Sequence, residues 1–230
     1  MAYIEFKNVN KIYDKNTNFK VLKKITFKIE KSEFITITGA KASGKTTLLN
    51  LLNKTLNVTS GSILVDNYDI TNFNNKQATK YRKEVVSSCL KGFSLISNLT
   101  VKENIELLEK ENDKKNINII IKKLGLTKVE NKFPSELSSS YAKLADIARS
   151  LAKKPSIILF DELDLHDKKD LKNVFTLLFN MIKKDNLTVI MITENPDIIS
   201  LSNKVITLKN GAIDNIKINK KPKLVGDLNW

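Results

Sequence analysis

An internal disulfide is closed to this chain, because its 230 residues include one cysteine, Cys89. A lone thiol fits a reducing compartment. Membrane-spanning sequence is missing as well: no apolar run approaches the roughly 20 residues that a membrane helix needs. The opening stretch, MAYIEFKNVN, lacks the charged-then-apolar pattern of a secretory signal. A cytoplasmic setting is therefore expected. Arginine is nearly absent, since Arg82 and Arg149 stand beside 37 lysines. A net charge of +14 would otherwise suggest nucleic acid. Base readers and phosphate clamps draw on the planar arginine fork. The charge is accordingly read as a solvated lysine-rich surface, with no nucleic-acid partner expected.

The length suits one α/β domain with a full core. Residues 2–30 alternate apolar and polar, as YIEFK and then VLKKITFKIE, which predicts half-buried antiparallel strands. FITIT (34–38) is a short β-branched strand. Behind it, Leu48, Leu49, Leu51, Leu52 and Leu56 follow helical spacing. GSILVDNYDI reads as a strand and turn, and 101–124 carries two helical patterns, VKENIELLEK and INIIIKKLGL. Pro134 breaks the chain. A helix then restarts near Ser138, its candidate N-cap, with Leu144, Ile147, Ala148 and Leu151 on one face. SIILFDE is a buried strand ending on two acids, 168–184 is helical, TVIMIT is a strand, and KVITLKNGAID is a hairpin turned at Asn210–Gly211. Strands alternating with helices predict a mostly parallel sheet covered on both faces. Ligands of such sheets bind at the carboxyl ends of the strands. The ends of FITIT, SIILF and TVIMIT, followed by Gly39, Asp161 and Glu194, are expected to meet at one crevice.

The stretch GAKASGKT (39–46) fits G-x-x-x-x-G-K-[ST]. Gly39 and Gly44 permit a tight loop that turns amide hydrogens inward, and the next helix offers its positive end to phosphate. Gly39, Ala40, Lys41, Ala42, Ser43, Gly44, Lys45, Thr46 and Thr47 are thus candidate ATP-binding residues. Lys45 would reach the β- and γ-phosphates, and the Thr46 hydroxyl would ligate Mg²⁺. Asp161, at a buried strand end, would hold Mg²⁺ through water, and Glu162 would polarise the attacking water. As an isolated pattern the loop would be an ordinary glycine-containing turn. Its place between a β-branched strand and an amphipathic helix argues for phosphate.

From these residues outward, roughly over 2–214, the chain resembles the nucleotide-binding subunits of ABC transporters, most closely the short lipoprotein-release and macrolide-exporter type. FSLISNLTVKENI is similar to the segment that borders the permease-receiving groove in that family. FPSELSSSYAKLADIARSLAKKPSIILFDE tracks its signature helix and second nucleotide motif in order and spacing. Tyr13 sits where the family stacks an aromatic on adenine. The resemblance implies a P-loop NTPase core with a mostly parallel sheet, an N-terminal antiparallel β subdomain and an inserted α-helical subdomain at about 91–152, all within one ATP-binding domain over 1–230. It also implies a membrane permease partner, a second ATP-binding subunit, and a peripheral place on the inner face of the cell membrane.

The departures from the family pattern are concentrated. Its Mg²⁺-contacting glutamine falls on Lys91. Its signature reads Leu137, Ser138, Ser139, Ser140, Tyr141, with serines in place of both glycines. Ala42 replaces one loop glycine, and Glu194 replaces the histidine that contacts the γ-phosphate. The one histidine, His166, lies in the dimer-contact loop and is read as an exposed loop residue. Losing one preorganised polar contact costs about 2.7–4 kcal/mol, or 10²–10³ in rate. Binding of ATP is therefore expected with slowed hydrolysis, and a hetero-partner carrying an intact Gly-Gly signature is favoured over a homodimer. Lys91 and Glu194 carry opposite charges toward one phosphate, which fits either an ion pair across it or drift in a subunit that no longer needs fast hydrolysis. A non-hydrolysing nucleotide sensor of a membrane complex is the competing reading. A DNA-maintenance or translation ATPase is disfavoured, because the chain has neither a long coiled-coil insertion nor two tandem nucleotide domains.

Overall fold

A computed structural model of the chain describes residues 2–13, 19–90, 94–108, 114–163 and 165–230. The predicted N-terminal alternation forms strands β1 (Ile4–Ile12) and β2 (Lys20–Ile29), which pair antiparallel. Their buried positions fall on one face, where the rings of Phe6 and Phe27 stack with centroids 4.5 Å apart. After β3 (Phe34–Thr38) and helix α1 (Lys45–Leu52), strands β4 (Ser60–Val65) and β5 (Tyr68–Asp69) complete a four-stranded sheet in the order β2-β1-β4-β5.

Next come α2 (Asn75–Glu84), β6 (Val86–Cys89), α3 (Val101–Glu106), α4 (Lys114–Lys123) and α5 (Ser139–Ala152). The chain closes with β7 (Ile157–Asp161), α6 (Lys168–Asp185), β8 (Thr188–Ile192), α7 (Pro196–Leu201), β9 (Lys204–Lys209) and β10 (Ala212–Ile218). The second sheet has six strands in the order β10-β9-β3-β8-β7-β6, parallel except for the β9–β10 hairpin. Asn210 and Gly211, both at positive φ (50° and 80°), turn that hairpin as their sequence predicts.

The central strands are buried on both faces, which explains their unbroken apolar character. In β7, Ile157 and Leu159 pack with Leu48, Leu49 and Ile190 beneath α1, whereas Ile158 and Phe160 pack with Leu144, Ile147 and Phe175 on the side of α5 and α6. Each such side chain contributes roughly 1.5–3 kcal/mol of burial. Truncating Phe160 to alanine would cost about 3–5 kcal/mol. Because β3, β8 and β7 are parallel neighbours, Thr38, Ile192 and Asp161 end side by side.

Helices α3, α4 and α5 lie between β6 and β7 in sequence and pack on one another. The loop before α3 is held by Asn104, fully buried, whose amide nitrogen donates to the carbonyls of Ile96, Leu99 and Thr100 while its oxygen accepts from Ile96 N at 2.7 Å. Three elements escaped the pattern reading. Helix α2 begins with a reciprocal cap between Asn74 and Gln77, a legible Asn-x-x-Gln signal. Strand β6 has two serines among its four residues, and α7 is a six-residue helix with Pro196 in its first turn.

Candidate nucleotide site

The loop between β3 and α1 follows from the conformations its glycines allow. Gly39 has φ +134° and Gly44 φ +103°, a region that side chains rarely enter. A Cβ on Gly39 would lie 2.1 Å from the backbone oxygen of Leu208. One on Gly44 would lie 2.6 Å from Leu22 Cδ2 and 3.0 Å from the Val21 oxygen. Ala42 also takes a left-handed conformation, at φ 63°, and carries about 1–2 kcal/mol of strain for it. The loop delivers the chain to the N-terminus of α1, where no side chain caps the first amides.

Lys45 folds back over this loop. Its ammonium donates to the carbonyl oxygens of Gly39 and of Ala40, the latter at 3.0 Å. Lys41 and Ala42 face solvent, and Thr46 is exposed at the start of α1. The hydroxyls of Thr47 and Tyr13 lie 3.1 Å apart, which ties the exposed Tyr13 ring to α1. Lys11 Nζ stands 5.3 Å from the centroid of that ring. Ser43 Oγ and Asp161 Oδ2 are buried without a hydrogen-bond partner. An unpaired buried polar atom costs about 1–3 kcal/mol, more for a carboxylate, so both atoms gain from an incoming donor or cation. Glu162 is exposed and holds φ 62°, an unusual conformation for a non-glycine residue and one that concentrates at functional sites.

Glu194 lies at the same place, just beyond β8. Its Oε1 accepts a hydrogen bond from the Gly39 amide at 3.1 Å and stands 3.7 Å from Lys45 Nζ. Among the described residues, the cation that meets Glu194 is the lysine of the loop itself. Lys91, the partner expected from sequence, lies outside the described residues. The ends of β3, β8 and β7 lie side by side as predicted, but the Lys45–Glu194 contact was not anticipated. It joins positions 149 residues apart, which only strand order brings together.

The signature serines open α5. Ser138 caps it, accepting from Tyr141 N at 3.3 Å, and Ser139 and Ser140 occupy its first turn. A buried acid on this helix also escaped the sequence reading. Asp146 accepts from the amide of Ser94 at 3.3 Å and from its hydroxyl, while Arg149 donates to Ser94 O at 2.7 Å and Ser94 Oγ at 2.9 Å. Burial raises the Asp146 carboxyl pKa, with Ser94, Lys143 and Arg149 acting in the other direction. Burial, and then Asp146, push the Cys89 thiol up to about 12, so it stays protonated and inert. One hint lay in the sequence: an aspartate among the apolar residues of KLADIARSL.

Comparison with known proteins places the geometry. The family model for ABC transporters matches residues 22–164. Bacitracin export ATP-binding protein BceA of Halalkalibacterium halodurans is 33% identical over 222 residues, covering 93% of this chain and 87% of BceA. Lipoprotein-releasing system ATP-binding protein LolD of Buchnera aphidicola is 33% identical over 212 residues, covering 89% of this chain and 93% of LolD. Two mycoplasma relatives are 35% identical, and the chain spans 50% of their length. Among solved structures, the ATP-binding cassette MJ0796, a dimer in a post-hydrolysis state bound to ADP and Pi, superposes with a TM-score of 0.86 at 28% identity, covering 94% of this chain and 98% of that one. With the phosphate loop, the six-stranded sheet and these relatives in agreement, the chain belongs to the ABC transporter family and has the fold of its ATP-binding cassettes.

Proposed function

We propose that the chain binds MgATP on the loop 39–47, acts as the ATP-binding subunit of a membrane transport complex, and hydrolyses ATP slowly. The observation that carries this reading is the loop itself: three left-handed positions, an uncapped helix start and Lys45 folded over them. Tyr13 would stack on adenine. The amides from Ala40 to Thr47 would cradle the phosphates, and Lys45 would meet the terminal ones. Ser43 Oγ, buried without a partner, would donate to a phosphate oxygen. Thr46 and Asp161 would hold Mg²⁺, and the partnerless Oδ2 of Asp161 fits that use. When bound, the ion would neutralise charge on the phosphate oxygens. Glu162 would orient and polarise the attacking water.

Slow turnover is inferred from Lys91 and Glu194, which replace two polar contacts of the family's γ-phosphate site. Ser138, Ser139 and Ser140 would face the ATP of a partner subunit. The added Cβ atoms at Ser139 and Ser140 favour a hetero-partner with an intact signature. The permease would dock beside the helical subdomain at about 91–152, which keeps the chain on the inner face of the membrane. Among the described residues no helix is long and apolar enough to cross a membrane. BceA and LolD are named for export of bacitracin and release of lipoproteins, which makes an exporter or extractor the favoured class of complex. The competing reading, a nucleotide-sensing regulatory subunit, draws on the Glu194 contact with Lys45.

Calorimetric titration tests binding. The folded chain should bind MgATP in the micromolar to millimolar range, about −8 to −4 kcal/mol. Lys45→Ala should weaken this at least about 100-fold, roughly 2.7 kcal/mol. No heat of binding to the folded wild type would overturn the proposal.

A further inference from the structure

We infer that Glu194 is an internal rival of the γ-phosphate, which sets the balance between ATP and ADP at this site. The inference rests on the reading of loop 39–47 as an ATP site. Oε1 of Glu194 accepts from the Gly39 amide at 3.1 Å and faces Lys45 Nζ at 3.7 Å. An anionic oxygen that takes a loop amide and faces the loop lysine does what a terminal phosphate oxygen does in such a loop. The carboxylate comes from the end of β8, a fully buried strand paired in register with β3. It is therefore delivered at high effective concentration.

The side of approach identifies the phosphate. Amides at the start of α1 cradle the α- and β-phosphates, while the lysine reaches toward β and γ. Glu194 comes from the other direction, to Gly39 at the end of β3 and to the ammonium of Lys45. ADP can fill the cradle and leave Glu194 in place. ATP must displace it, because its γ-phosphate would enter on the side of Lys45 that the Glu194 carboxylate already holds. The Glu194 side chain is 64% exposed, so it has room to swing into solvent, where the displaced charge is rehydrated. An ion pair this exposed contributes little, and the charge-assisted amide bond contributes more. The displacement should lower ATP affinity about tenfold and leave ADP nearly untouched.

The test titrates MgADP and the Mg²⁺ complex of the β,γ-imido analogue of ATP into the wild type, Glu194→Gln and Glu194→Ala. Thermal unfolding confirms that each variant is folded, and the isosteric glutamine covers the case in which alanine disturbs the loop. Both variants should bind the ATP analogue about tenfold more tightly while ADP changes less than about twofold. Parallel changes for the two nucleotides, no change, or weaker binding of the analogue would overturn the inference and leave the ATP site standing. Failure of both nucleotides to bind wild type and variants alike would overturn the ATP site together with it.

Discussion

The phosphate loop and the start of α5 are two glycine-bearing motifs of one family pattern, and here they have met opposite fates. In the loop, Gly39 and Gly44 survive, and one glycine has become Ala42, which keeps a left-handed conformation. In the signature, both glycines are serines. The structure supplies a physical reason for the difference. Gly39 and Gly44 are required by the chain itself, through left-handed φ values and backbone or core atoms at 2.1–3.0 Å from any added Cβ. Ser139 and Ser140 sit in an ordinary helical turn capped by Ser138, and neither has a positive φ. Among the described residues, nothing asks for glycine there. A cost at these serines would fall on whatever approaches the turn from outside, so the fold tolerates a change that any proposed partner would have to accommodate.

Substitutions at the two motifs should separate these demands. Gly39→Ala should give the largest effect, a loss of about 3 kcal/mol or more in urea unfolding, because the carbonyl of Leu208 cannot yield. A loss below about 1 kcal/mol would mean that the loop is not built on that glycine. Next in size is Tyr13→Ala, expected to weaken ATP binding by about 1–3 kcal/mol, by analogy with base stacking on aromatic side chains. Tyr13→Phe keeps the ring and drops only the hydroxyl contact with Thr47, so it should lose less. Equal losses in the two would assign Tyr13 to the structure of the loop. The double change Ser139→Gly, Ser140→Gly should cost the isolated chain less than about 1 kcal/mol per site. Light scattering should show more ATP-dependent pairing. Unchanged pairing would remove the signature serines from the account.

A smaller effect concerns the tie between α5 and Ser94. The raised pKa of Asp146 means that the unfolded chain ionises first as pH rises past the ordinary aspartate value of about 3.9. The folded state then binds more protons, and stability falls with pH until Asp146 also ionises. Below that window the carboxyl is neutral in both states and carries no such penalty. Asp146→Asn should therefore gain on the wild type between acid and neutral pH, as read from urea midpoints. A difference independent of pH would show that burial does not control this group.

How much of this was legible in sequence depended on range. FITIT, SIILF and TVIMIT are short and β-branched, so their strands and neighbouring ends could be read locally. The loop 39–46 and the Asn210–Gly211 turn carry their geometry in their own glycines. Strand β6 could not be read this way, because Ser87 and Ser88 interrupt its apolar pattern and its partner, β7, is about 70 residues away. The contacts of Glu194 were illegible for a stronger reason. Charge complementarity in the sequence pointed to Lys91, which lies outside the described residues; the pairing of β3 with β8 also sets Glu194 beside Gly39 and Lys45, which no local pattern announces. Asp146 and Ser94, 52 positions apart, repeat that lesson: a buried acid is visible in sequence, but its donors are not.

The phosphate loop should bind ATP here while the altered residues around it slow hydrolysis. The most direct test is a single-turnover measurement, with MgATP below the concentration of the folded chain and inorganic phosphate followed over time. Bound ATP should be converted at less than about 0.1 s⁻¹, two orders of magnitude below the enzyme median of about 10 s⁻¹. Conversion by the chain alone at or above that median would contradict it.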